Sequence, residues 1–219
     1  MQPGVERVQS TTFGKVGGQA SRVSYQSRCY PEVARLCNHF LAAHWGGCSG
    51  GSSDLSKAPF TSLCFNKLLL ARTHRDGNNK GPSIICSFGP HTGGELLHWP
   101  DDTGKTPLHA LGAPSATPLQ GGFTLFDGCK AHATAPFAGT RYTLIWFTGR
   151  GQLPEEEANL LGQMGFYPDD DQLKNLQMLL GLSQDGVVRW ELPKIALAPA
   201  DPFLRFEAER ETYMANVQV

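Results

Sequence analysis

The sequence predicts a mainly β protein, a sandwich or barrel with helices at its flanks. Three observations point there. Between about residues 60 and 150, short apolar runs are separated by Gly, Pro, Asn and Asp. These runs are SLCFNKLLLA (62–71), SIICSF (83–88), GELLHW (94–99), FTLF (123–126) and YTLIWF (142–147), a pattern of short strands joined by turns. Glycine (25) and proline (15) are abundant, which favours turns over long helices. A length of 219 residues suffices for one core of this kind, so a single domain over 1–219 is expected.

The elements follow in order. Residues 1–28 hold Gly-rich and Ser/Thr-rich stretches with little periodicity, so loops and one early strand are expected. In YPEVARLCNHFLAAHW (30–45), Val33, Leu36, Cys37, Phe40 and Leu41 recur at helical spacing, and Pro31 suits a first helical turn. GGCSGGSS (46–53) ends that helix as a flexible loop. The loops and helix of 1–61 thus precede a β core over 62–148. Beyond it, 149–219 reads as an acidic helical extension, with PEEEANLLGQMG and DDDQLKNLQMLLGLS placing acidic triplets in first turns, where the helix dipole favours them.

Charge and cysteine content narrow the function classes. The net charge of −1 hides a division: residues 1–150 carry 14 Lys/Arg against 8 Asp/Glu (+6), and residues 151–219 carry 5 against 12 (−7). A near-neutral total argues against indiscriminate coating of DNA, while a basic front admits anionic ligands. No apolar run is long enough for a membrane span, and the start, MQPGVERVQSTTF, lacks the apolar core of a signal peptide. Six scattered cysteines form no CxxC pair and are expected to be reduced thiols, which places the protein inside the cell, in nucleus or cytoplasm. GRGQ (149–152) is not a phosphate-cradling loop, and no G-x-S-x-G pattern supports a hydrolase.

The chemistry-bearing residues are few. His74-Arg75-Asp76 follows an apolar run, and alternate residues of a strand face one side, so His74 and Asp76 can present an imidazole and a carboxylate to one point. Two histidines with one carboxylate leave open positions on Fe(II), the arrangement used for oxygen activation. His132 follows FTLF and a DG turn. Arg141 and Thr143 stand at i and i+2 on the next strand, where a guanidinium beside a hydroxyl suits a carboxylate. Taken singly, each has a plainer explanation: H-x-D pairs are mostly surface residues, His132 would cap a loop, and Arg141 would form a surface ion pair.

In the order H-x-D, H, R-x-T, the chain resembles the Fe(II)- and 2-oxoglutarate-dependent dioxygenases over about residues 62–148. That resemblance implies a double-stranded β-helix (jelly-roll) core. It implies Fe(II) held by His74, Asp76 and His132, and 2-oxoglutarate held through its distal carboxylate by Arg141, helped by Thr143. O₂ is the co-reactant and ascorbate a candidate reductant. G-G-x-L within HTGGELLHWPDD (91–102) recurs in the family, and Asn66 is similar to a position that touches the cosubstrate. The stretch NKLLLARTHRDGNNKGPSIICSFGPHTGGEL looks closest to the small oxygenase domains of the ten-eleven-translocation and base-J-binding-protein group, which implies a modified base in nucleic acid as substrate. The cysteine-rich zinc-binding extension of the animal enzymes is missing. A prolyl-type peptidyl hydroxylase and a non-catalytic cupin-like binding module remain alternatives. No membrane or obligate protein partner is expected.

His91 and His98 flank GGEL, within reach of a pocket mouth, with a solvated loop as the plainer reading; His109 reads as a loop residue. His39 and His44 have the wrong spacing for a shared metal and read as structural, and Cys129 is no ligand because a thiolate beside Fe(II) and O₂ invites oxidation. Trp99, Trp146, Phe123, Phe126 and Phe147 read as core, with Trp99 first for substrate contact. The EEE and DDD triplets read as helix starts on a solvated face. Arg72, Arg75, Lys80 and Lys130 are the cations nearest the site; Arg75 meets either a phosphate or an acid of the C-terminal helices.

Overall fold

The structure is a computed structural model that describes residues 9–18, 20–45 and 58–192. The expected loops at 1–8 and 46–53, Cys48, and the end of the C-terminal extension (193–219) lie outside the described residues.

The chain is mainly β, built of antiparallel sheets. The strands are β1 (Gln9–Val16), β2 (Arg22–Val23), β3 (Ser62–Lys67), β4 (Ser83–Phe88), β5 (His91–Gly93), β6 (Leu96–His98), β7 (Ser115–Thr117), β8 (Gly122–Phe126), β9 (His132–Thr134), β10 (Phe137–Gly139), β11 (Tyr142–Phe147) and β12 (Val187–Glu191). Seven of them form one sheet in the order β12-β8-β4-β11-β3-β1-β2, every neighbouring pair antiparallel. Two smaller ladders, β7-β6-β9 and β10-β5, make up the rest of the β ladders among the described residues.

Side-chain alternation gives the large sheet two working faces. One registered row crosses it through Phe13, Leu63, Trp146, Ile84 and Leu125, all of them buried. This row shares a core with residues of three helices, α2 (Pro31–Trp45), α3 (Glu155–Gln163) and α4 (Asp170–Gly181). Trp146 is fully buried, and its truncation to alanine would cost about 3–5 kcal/mol. The neighbouring row, Thr12, Cys64, Ile145, Ile85 and Thr124, faces the other way. There Ile85, Leu96, Leu119 and Phe126 form a second, smaller core.

Three sequence expectations change. In α2 the buried positions are Ala34, Asn38 and Leu41, with Cys37 and Phe40 at their margin, while Val33 and Leu36 are exposed. Asn38 is admitted to the core because both ends of its amide are used: Oδ1 accepts from Trp146 Nε1 (2.9 Å) and Nδ2 donates to Met164 O (2.9 Å). The region past 151 is not wholly helical, since VVRWE forms β12 against β8. The acidic triplets also differ. Asp169 caps α4 by accepting from the backbone of Asp171 and Gln172, but Glu157 is no solvated residue: it accepts from Val23 N (2.7 Å) and pairs with Arg28. Arg28 lies in a short helix, α1 (Tyr25–Cys29). Among the described residues no helix is long and apolar enough to cross a membrane.

Candidate metal centre and anion pocket

The strand expected to carry His74 ends early. β3 stops at Lys67, and Leu68 turns the chain with φ 57°, its N–H donating to Arg141 O (2.8 Å). His74 then returns as an isolated antiparallel bridge to His132, the two backbones exchanging hydrogen bonds of 3.0 Å each. The bridge still enforces alternation. His74 and Asp76 share one side, and Arg75 projects to the other, where it meets Asp102.

His74, Asp76 and His132 converge, with one potential ligand atom from each lying within 4.8 Å of the others. His74 Nε2 is 3.5 Å from Asp76 Oδ1, and His132 Nε2 is 3.8 Å from Asp76 Oδ2. Each ring has its Nδ1 against a carbonyl, that of Arg72 for His74 (2.7 Å) and of Lys130 for His132 (3.0 Å). A carbonyl only accepts, so in each neutral ring Nδ1 carries the proton and Nε2 presents a lone pair. Burial, with His74 alongside, holds His132 below the usual imidazole range, which favours that neutral form. With both rings in that neutral form, two lone pairs and a carboxylate face one point. The donor set fits a divalent ion such as Fe(II), for which two histidines and one carboxylate are the facial arrangement.

Two residues of the sequence support Asp76. Asn79 Nδ2 donates to its Oδ2 (3.0 Å), and a Cβ at Gly128 would stand 3.1 Å from the same oxygen. The signal for Asn79 was present in HRDGNN, an amide three residues after an acid. Cys129 lies behind this loop with Sγ near the carbonyls of Asp76 (3.6 Å) and Asn79 (3.5 Å), outside the donor set.

A cavity of about 250 Å³ opens beside these residues, and Asn66, Arg141 and Thr143 line its far end. Arg141 is 2% exposed and no carboxylate of the described residues lies within ion-pair distance. Its Nη2 donates to Gly94 O (2.9 Å), its Nε has no partner, and the guanidinium lies 5.4 Å from the Phe137 ring centroid. Burial pulls its pKa down to about 10 against the opposing influence of Glu95. Gly94 makes room for it: φ is +79°, and a Cβ there would stand 2.6 Å from Arg141 Nε. Alongside, Thr143 Oγ1 accepts from Asn66 Nδ2 (3.2 Å), which leaves the threonine proton free to donate into the cavity. A buried cation lacking an anion, beside a hydroxyl donor, has the chemistry that suits a carboxylate.

The remaining candidates fall outside this cavity. His91 donates from Nδ1 to Gly93 O (3.1 Å), and His98 Nε2 pairs with Asp185 O (2.9 Å). Both are buried and neither lines the cavity, contrary to the pocket-mouth expectation; His109 is exposed on a 3-10 turn (Leu108–Ala110). Trp99 is half-buried and donates to Gly112 O (2.6 Å), lining a separate hollow. Phe126 and Phe147 line the cavity, whereas Phe123 and Trp146 belong to the helix-side core. His39 is exposed, and His44 Nδ1 donates to Phe40 O (2.9 Å) within its own helix.

The rim cations are mostly engaged. Arg75 pairs with Asp102, not with a C-terminal helix; Lys80 makes that contact, reaching Asp170 (2.7 Å); Lys130 Nζ donates to Pro100 O. Asp102, absent from the sequence-level candidates, lies in WPDDTG, a turn whose sequence carries no mark of its long-range partner.

No family model matches the chain, and no curated protein matches it. Among solved structures it is similar to NgTET1 in complex with 5mC DNA (15% identity, TM-score 0.43, 70% of this chain and 69% of that one). It is similar also to an oxidoreductase of the 2OG-Fe(II) oxygenase family from Burkholderia pseudomallei (15%, 0.42, 68% and 77%) and to OsALKBH1 (14%, 0.35, 68% and 83%). All three are members of the 2OG-Fe(II) oxygenase superfamily. At these TM-scores the likeness carries no weight for chemistry, which rests on the side chains of this chain.

Proposed function

We propose that this protein is an Fe(II)- and 2-oxoglutarate-dependent dioxygenase with a jelly-roll core, in which His74, Asp76 and His132 hold the metal. The observation that carries the reading is the pair of imidazoles, each with Nδ1 on a backbone carbonyl, whose Nε2 atoms both face one carboxylate. Arg141 binds the distal carboxylate of 2-oxoglutarate, Thr143 donates to it, and Asn66 holds Thr143 in place. When bound, Fe(II) with 2-oxoglutarate and O₂ supplies the oxidising power that converts a substrate C–H to C–OH, with succinate and CO₂ as co-products. The protein's part is binding and exclusion of water. Asn79 fixes the Asp76 carboxylate, and Ile85, Leu96, Phe126 and Ile145 give the chamber apolar walls where an unpaired charge is costly unless an anion meets Arg141.

For substrate, a base in nucleic acid comes first, on the resemblance of NKLLLARTHRDGNNKGPSIICSFGPHTGGEL to base-modifying oxygenase domains and the basic front of the chain. One observation favours a peptide instead: of the four cations nearest the metal loop, Arg75, Lys80 and Lys130 already have partners. The test is an anaerobic titration with Fe(II) and 2-oxoglutarate, followed by admission of air and mass spectrometry of methylated oligonucleotides and of proline-containing peptides. Absence of Fe(II)-dependent 2-oxoglutarate binding would refute the reading. Binding of oligonucleotide that does not weaken as salt rises would remove nucleic acid from first place.

A further inference from the structure

We infer that Asp102 is a positioning residue for the metal centre, a carboxylate that clamps the two ligand-bearing segments together from behind. This rests on the assignment of His74, Asp76 and His132 as ligands. Its geometry is independent of what the metal does.

The Asp102 side chain is fully buried and its two oxygens accept four hydrogen bonds. Oδ2 takes Arg75 Nε (2.6 Å) and Ala131 N (2.7 Å); Oδ1 takes Arg75 Nη2 (2.7 Å) and Gly104 N (2.9 Å). Two of these donors are telling. Arg75 is the residue between His74 and Asp76, and Ala131 is the residue before His132. One carboxylate therefore holds both segments that carry the ligands, on the side away from the cavity.

The clamp adds a side-chain hold to the backbone bonds that tie the segment along one edge. The His74–His132 bridge sets how far apart the two histidine backbones lie. Rotation of the 74–76 segment about its own axis decides whether the ligands at 74 and 76 point at one spot. From the backbone it is restrained along one edge only, by the bridge and by the Asp76 N–Gly128 O hydrogen bond (2.9 Å). Just beyond, the chain turns through Gly77, whose N–H donates to Arg75 O (3.1 Å), and among the described residues the segment is not part of a strand. Arg75 is the lever. It is pinned by a bidentate carboxylate and by Thr106 O (2.7 Å), so its guanidinium cannot swing, and alternation then keeps His74 and Asp76 on the opposite side. Asp102 is itself anchored, its N–H donating to Trp99 O (3.0 Å) while Trp99 N donates to Ala131 O (3.1 Å). Nothing in the clamp touches the metal position. Its effect passes through the direction of the ligands, as the outer partners of a metal site act.

The experiment is a titration of the metal-free full chain with Co(II) alone, read by its visible absorption, for wild type, Asp102→Asn and the double variant Arg75→Met/Asp102→Asn. Thermal midpoints are recorded without metal. His74→Ala is the reference for loss of a ligand. Asp102→Asn should weaken Co(II) binding by roughly 10–100-fold and alter the absorption envelope. The double variant should be no weaker than the single one, since the two residues act as a unit. The double variant also leaves no unpaired buried charge, so it carries the test if the single variant fails to fold. A lowered thermal midpoint with unchanged Co(II) affinity and spectrum would reduce Asp102 to a structural residue and overturn the inference. Undiminished Co(II) binding in His74→Ala would instead overturn the metal assignment, and with it the reading on which the clamp depends.

Discussion

The two ends of the cavity are built by opposite means. At the anion end, Asn66 and Thr143 lie inside paired strands and Arg141 directly precedes one, so the ladder β3-β11-β4 places them by regular geometry. At the metal end, His74 and Asp76 sit in irregular chain, about 40% exposed, held by one bridge, the Asp76 N–Gly128 O bond, carbonyl contacts at the imidazoles, the Asn79 amide and the Arg75–Asp102 pair. Rigidity inherited from a sheet is robust to local change. Rigidity assembled from individual ties is not, and each tie can be lost without unfolding the core.

The sharpest way to break this contrast is at the metal end. Asp76→Ala should abolish Fe(II)-dependent succinate formation while moving stability by no more than roughly 0.5 kcal/mol, because the side chain is part-exposed and outside the core. Succinate assays paired with denaturant unfolding check it, and a variant that retained turnover would end the ligand assignment.

At the anion end, Arg141→Met should raise the KM for 2-oxoglutarate by about 10–100-fold, the worth of a charged hydrogen-bond pair. Its thermal midpoint without ligand should stay level or rise, since a buried cation lacking a partner is removed. A marked fall in the midpoint would show that Arg141 serves the fold more than a ligand. Thr143→Val should shift the same KM by about 3–10-fold, the loss of one donor. An unchanged KM would leave Thr143 as a wall residue.

The smallest effect concerns His91, beside the same arginine. Burial, and next the Arg141 charge, lower its pKa, so the folded state binds fewer protons than the unfolded chain below the ordinary imidazole range. Stability at this site is therefore full above about pH 6.5 and declines as pH falls below it. Thermal melts at pH 7.5 and 5.5 should show a smaller acid-induced drop in His91→Gln than in wild type. Equal drops would place the acid sensitivity elsewhere.

How far the sequence anticipated all this follows the same division. β4 and β11 coincide with the runs SIICSF and YTLIWF, because alternation and turn residues are local signals. The convergence of His74, Asp76 and His132 was legible from their order, although the strand proposed to carry the first two ends at Lys67. What escaped was set by distant partners. Asn38 is buried because Trp146 and Met164 meet it, and VVRWE is a strand because β8 offers an open edge. Asp102 matters because Arg75 and Ala131 reach it across 27 and 29 residues of chain. No window of neighbouring residues holds that information.

The outermost strands of the large sheet have a consequence for life at high concentration. An open β edge is a template on which a second molecule can add a strand, and long, flat, apolar edges are the dangerous ones. Here one edge is β2, two residues long, with Glu157 already accepting its Val23 N–H. The other is β12, five residues that include Arg189 and Glu191, with the arginine bound to the carbonyls of Pro118 and Gln120. Among the described residues, the sheet of seven strands thus ends on one side in a stub and on the other in a charged strip, and both discourage edge-to-edge aggregation.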